Sequence, residues 1–182
     1  SWTEESPLNP RNPYSASKAS SELLVRAAHI SHGLAYNITR SCNNYGPRQT
    51  ADKLIPRIIK SIMNNEKIPV YGQGLQLRDW MYVDDNCSAI STVLSKGKDN
   101  ETYNISANQE CTNIEMVQKI CNIMKRGHDL IDFIPDPRVG HDFRYSVDST
   151  KLRSLGWKPK VNLPDGLAMC CEWFENNKWF LK

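Results

Sequence analysis

The sequence predicts an α/β fold, and three observations carry that expectation. Apolar residues recur at helical spacing in several well-punctuated segments. Short runs of β-branched and aromatic residues lie between those segments. The two kinds alternate along the chain, the pattern of helices packed on a largely parallel sheet.

The first helix is read from Pro13. Asn12 is suited to cap it, and proline at the first helical position gives up an N–H that would have no partner there. Ala16, Ala19, Leu23, Leu24, Ala27, Ala28 and Ile30 follow the 3.6 period, and Gly33 closes the helix. A short strand is read over 34–39. A second helix over 53–65 runs through Leu54, Ile55, Ile58, Ile59, Ile62 and Met63. Residues 68–71 read as a brief strand ended by the turn Gly72-Gln73-Gly74.

Arg78 stands before a further strand, and Asp84 or Asp85 starts a helix through Cys87, Ile90, Val93 and Leu94. Residues 101–106 form a strand. Thr112 with Glu115 three residues on makes a capping box for a helix over 113–126, stopped at Gly127. A strand over 131–134 leads into a loop, 135–142, rich in charge, glycine and proline. Short helices are expected over 149–155 and 165–176. No internal repeat or low-complexity linker is visible.

Composition narrows the function classes. At 182 residues and 40% hydrophobic, the chain is long enough for a sizeable core. No apolar run approaches the roughly 18 residues that cross a bilayer, and the N-terminus carries no signal-like segment, so no membrane partner is expected. The net charge of +3 is spread thinly, which argues against a nucleic-acid partner. The six cysteines show no C-x-x-C pair, and His29, His32, His128 and His141 are too dispersed for a metal. Vicinal Cys170-Cys171 reads as buried thiol in a reducing, cytoplasmic setting.

Four segments carry chemistry. Tyr14 and Lys18 are four residues apart, so on a helix they share a face. An ammonium there stabilises a phenolate and favours tyrosine as a base. Asn43-Asn44-Tyr45-Gly46-Pro47 follows a strand, at the end where α/β proteins place ligands. Its paired amides suit phosphate or ribose oxygens, or equally a capped turn. Arg78 suits a diphosphate through its planar fork, or a salt bridge with Asp79. Arg138-Val139-Gly140-His141 repeats the device in a loop, where solvated surface is the commoner outcome.

These pieces occur in one order with Lys53-Leu54-Ile55-Pro56, Pro69-Val70-Tyr71-Gly72, Arg78-Asp79-Trp80, Tyr103-Asn104-Ile105 and Gly140-His141-Asp142-Phe143-Arg144-Tyr145. That series resembles the C-terminal part of the dTDP-glucose 4,6-dehydratases, which belong to the extended short-chain dehydrogenase/reductase superfamily. Leu155-Gly156-Trp157-Lys158-Pro159 and Glu172-Trp173-Phe174 are similar too, so the resemblance covers nearly the whole chain. Val139 departs from it, since the family usually has proline there.

The resemblance implies the second half of a Rossmann-type NAD domain over 1–50, joined by 78–106, and a smaller α/β substrate-binding domain over most of 51–182. It implies NAD as cofactor and a nucleotide-diphosphate sugar as substrate. Tyr14 would take the proton of the sugar 4-hydroxyl, and Lys18 would assist it and hold the nicotinamide ribose. Asn43 would lie between cofactor and substrate, with Asn44 beside it. Lys53, Leu54, Pro69, Val70, Tyr71, Arg78, Asn104, Arg138 and His141 would line the nucleotide pocket. A homodimer through the 14–32 helix is implied as well.

No G-x-G-x-x-G or G-x-x-G-x-x-G occurs, and the family's Asp-Glu pair for dehydration is not found. The chain therefore reads as a portion of a longer polypeptide, preceded by roughly 130–150 residues of nucleotide-binding fold, and is expected to be inactive alone. The resemblance extends to sugar-nucleotide 4-epimerases and decarboxylases. A non-catalytic nucleotide-sugar-binding module is the alternative outside enzymes.

Overall fold

Asn12 caps the first helix as its amide allows. Its side chain accepts the Ser15 N–H at 2.9 Å, and Ser15 Oγ accepts the Asn12 N–H in return, which starts α1 (Pro13–His32). The structure, a computed structural model, describes residues 1–137 and 143–181. No residue of α1 is buried. Ser15, Ala19, Glu22, Val25 and His29 are half-buried on one face, while Leu23, Leu24 and Ile30 stand exposed. The apolar period was therefore legible, but this chain does not bury it.

Strand β1 (Asn37–Ser41) begins three residues later than expected and pairs in parallel with β5 (Glu101–Ile105), Arg40 opposite Asn104. The chain then changes sheets at Cys42, whose N–H bonds the Ile105 carbonyl at 2.9 Å. Beyond it β2 (Asn43–Tyr45) lies parallel to β4 (Leu77–Tyr82), with Asn43 opposite Trp80. The first half of β4 pairs with β6 (Glu110–Thr112), antiparallel, and with β8 (Arg144–Tyr145), parallel. Arg78 thus sits within a strand, not ahead of one, between Cys111 and Tyr145. A third pair joins β3 (Ile68–Tyr71) to β7 (Ile131–Ile134).

The main core lies where α2 (Leu54–Asn64), α4 (Asn113–Ile123) and α6 (Leu163–Asn176) meet β2, β3 and β4. Helix α2 contributes Ile55, Ile58, Ile59 and Ile62, each essentially solvent-free. Burying an isoleucine is worth about 1.5–3 kcal/mol, so this helix is held by its core face. Thr112 and Glu115 form the expected capping box of α4, although the helix ends at Ile123.

A smaller core collects Cys42, Met81, Tyr103 and Ile105 with Ala89 and Val93 of α3 (Val83–Lys96), Leu152 of α5 (Thr150–Ser154) and Trp157. Buried Asp85 fastens the next segment to α3 by accepting the N–H groups of Lys160 and Val161 at 2.9–3.1 Å. Asn162 then caps α6 by accepting from Asp165, which sets its start two residues before the expected one.

Candidate functional site

Helix α1 presents Tyr14 and Lys18 on its exposed surface, with Tyr14 76% exposed. Lys53 ends the loop that leads from β2 into α2 and pairs with Asp52 at 2.6 Å. Asp52 holds the Lys53 ammonium above its usual range, and Tyr14 adds to that effect.

Between β2 and Lys53 the chain turns at Gly46. A Cβ there would meet Val83 Cγ1 at 2.6 Å, so glycine lets the loop press against α3. Gln49 donates to the main-chain oxygen of Asn44 at 2.9 Å. Asn44 Oδ1 and Gln49 Oε1 are buried acceptors with no protein donor. Such an oxygen costs about 1–3 kcal/mol if nothing donates to it. Tyr45, the next residue, is a core side chain whose phenol is pushed up by burial.

The other candidates divide. Arg78 is buried, and its Nη1 donates to Leu77 O at 2.7 Å and Phe143 O at 3.2 Å, which fixes the plane of the guanidinium. Along β3, burial alternates. Pro69 and Tyr71 face outward, whereas Val70 packs into the main core beside Ile68. Leu54 is half-buried against the same core. Asn43 is half-buried at the head of β2.

Asn104 stands in β5, and its Oδ1 is another buried acceptor with no protein donor. It is fully buried under residues 1–4, with Nδ2 donating to Trp2 O at 3.0 Å and its N–H to Glu4 Oε1 at 2.9 Å. Arg138 and His141 lie outside the described residues. Two residues were passed over in the sequence. Gln49 has no pattern to mark it, two places after Gly46-Pro47. Asn113 reads only as a helix residue, yet β4–β6 pairing sets it next to Gln76, whose carbonyl accepts its N–H at 3.1 Å.

The exposed hydroxyl and ammonium of α1 and the orphaned Asn44 oxygen suit a hydroxyl-rich ligand such as a ribose or hexose. They fit the nicotinamide-ribose end of NAD. The family model described as GDP-mannose 4,6 dehydratase matches residues 1–170. The chain belongs to that family. It is 47% identical over 173 residues to the low-salt glycan biosynthesis protein Agl12 of Haloferax volcanii, covering 95% of this chain and 56% of that protein. It is 45% identical over 178 residues to a dTDP-glucose 4,6-dehydratase of Streptomyces niveus, covering 97% and 53%.

Among solved structures, DesIV, a dTDP-glucose 4,6-dehydratase of Streptomyces venezuelae with NAD and TYD bound, superposes with a TM-score of 0.96 at 42% identity. The match covers 100% of this chain and 56% of that one. The chain thus spans about half the length of the relatives it matches. The α/β dehydratase fold expected from the motifs is the fold observed. No helix among the described residues is long and apolar enough to cross a membrane.

Proposed function

We propose that this chain is the substrate-binding portion, with part of the cofactor site, of an NAD-dependent dTDP-glucose 4,6-dehydratase. The observation that carries the reading is the buried Asn44 Oδ1 of β2, an acceptor with no protein donor, in a chain whose α1 exposes Tyr14 and Lys18 four residues apart. Those residues supply a base, a cation and a hydroxyl acceptor, the groups this chemistry needs. Family membership and the dehydratase relatives support it.

In this reading Tyr14 takes the proton of the sugar 4-hydroxyl, and the Lys18 ammonium stabilises the phenolate and holds the nicotinamide ribose. Tyr14 and Lys18 would hold the nicotinamide ribose of NAD, which would supply reversible hydride-transfer chemistry when bound. Asn43 and Asn44 orient ribose and sugar hydroxyls. Arg78 and Lys53 neutralise the diphosphate, together with Arg138 and His141, and Pro69, Tyr71 and Leu54 wall the nucleotide. Remote binding energy of this kind orients the reacting carbon. The acid and base for loss of water come from an Asp-Glu pair expected ahead of α1.

The smaller core, around Tyr103 and Ile105, belongs in this reading to the cofactor half, and the α2–α4–α6 core to the substrate half. The exposed Leu23, Leu24 and Ile30 of α1 supply an apolar face for a homodimer. Six unpaired cysteines suit a cytoplasmic protein.

Incubating the full-length protein with NAD and dTDP-glucose, and following the sugar nucleotide by mass spectrometry, tests the reading. A product lighter by one water, absent with Tyr14→Phe, supports it. A product of unchanged mass but altered chromatography points to a 4-epimerase, and unreacted substrate overturns the assignment.

A further inference from the structure

Glu22 lies one helical turn beyond Lys18, at the edge of the half-buried face of α1. At that spacing a lysine and a glutamate are close enough to pair. Here they do not, because Arg40 of β1 takes the carboxylate. Its Nε donates to Glu22 Oε1 at 2.9 Å and Oε2 at 3.2 Å, and its Nη2 to Oε2 at 2.6 Å. Both side chains are more than four-fifths buried. The remaining nitrogen, Nη1, donates to the Glu4 carbonyl at 3.3 Å. Among the described residues Lys18 makes no ion pair.

We infer that Arg40 is a positioning residue that keeps the Lys18 ammonium available by holding the carboxylate one turn away. The inference rests on the dehydratase reading, in which Lys18 serves Tyr14 and the cofactor ribose. Two features favour it over simple anchoring of the helix. The Glu22 carboxylate is gripped by Arg40 at both oxygens. Helix α1 also keeps another tether to the sheet, Arg26 Nη2 to Thr102 Oγ1 of β5 at 3.0 Å. Removing Arg40 therefore releases Glu22 towards Lys18 without undocking the helix.

The decisive comparison is Arg40→Gln against Arg40→Gln/Glu22→Gln. Acetylation of individual lysines by acetic anhydride, read by mass spectrometry with exposed Lys125 as internal reference, reports on Lys18 directly. A lysine–glutamate pair one turn apart on a helix is worth a few tenths of a kcal/mol, and should slow Lys18 about twofold in Arg40→Gln. The double variant should return to the wild-type rate, and Arg40→Lys should stay near it. An unfolded helix labels faster, so slowing cannot come from loss of structure. Unchanged or faster labelling in Arg40→Gln, or a double variant as slow as the single, overturns the inference.

In the full-length protein the same pair should lower kcat for dTDP-glucose and then restore it, with KM unchanged. A kcat loss that the second substitution does not relieve also overturns it. Should the wild type form no keto sugar at all, the dehydratase reading fails, while the labelling result still decides the pairing.

Discussion

Replacing Gly166 in α6 by alanine sets two effects of opposite sign against each other. Helix propensity alone favours alanine over glycine by about 1 kcal/mol. The structure argues the other way. A Cβ at Gly166 would be driven into Tyr45 Oη, with Tyr45 Cζ at 3.0 Å and Val161 Cγ1 at 3.1 Å. The tyrosine has little room to retreat, because it is 1% exposed and held edge-on by Trp80 and Tyr82 at ring separations of 6.4 and 5.7 Å. Overpacking of this kind costs about 1–3 kcal/mol, and the rigidity of the site puts it at the upper end. The net expectation is a loss of about 1–2 kcal/mol, read from urea denaturation. Tyr45→Phe removes the colliding oxygen at small cost, since its bond to Leu163 O is 3.5 Å long. The double variant should recover about 1 kcal/mol relative to Gly166→Ala. A Gly166→Ala protein as stable as the wild type, or more so, would refute the packing argument.

Other consequences follow from single contacts. Asp85→Ala strands the Lys160 and Val161 N–H groups, and should destabilise by about 2 kcal/mol in the same assay. Less than a quarter of that would mean water replaces the carboxylate. The Thr112 N–H and hydroxyl hold the Glu115 carboxyl below its usual range. Its contribution is therefore complete above an unfolded value of about 4.3 and is lost as pH falls through the lower folded value. The stability gap between wild type and Glu115→Gln should narrow in acid, and a gap that holds or widens contradicts this. Cys87 is the one exposed cysteine, whereas burial pushes the Cys170 thiol up to about 12 and Cys111 to about 11. Alkylation of the native protein by iodoacetamide should modify Cys87 first and leave those two unreacted.

Much of this was legible because some signals are local. Asn12-Pro13 and Thr112 with Glu115 specify helix starts through bonds within four residues, and both caps are present. Strands β2, β6 and β8 were not anticipated. They are two or three residues long and exist because β4 passes between them, a fact of tertiary pairing with no local signature. The same cause moved Arg78 from the approach of a strand to its interior. Alternation along Ile68-Pro69-Val70-Tyr71 could have warned that Val70 turns inward while Tyr71 does not. Asn104 was read only from the motif around it. Nothing local reveals that residues 1–4 would cover it.

The most direct test of the account is calorimetric titration of dTDP into the full-length protein, with Arg78→Ala alongside. Charge-assisted bonds from a fixed guanidinium to a diphosphate are worth about 1.5–3 kcal/mol. The wild type should therefore bind, and Arg78→Ala should bind at least tenfold more weakly. A wild type that takes up no dTDP, or an Arg78→Ala protein that binds it equally well, would contradict the account.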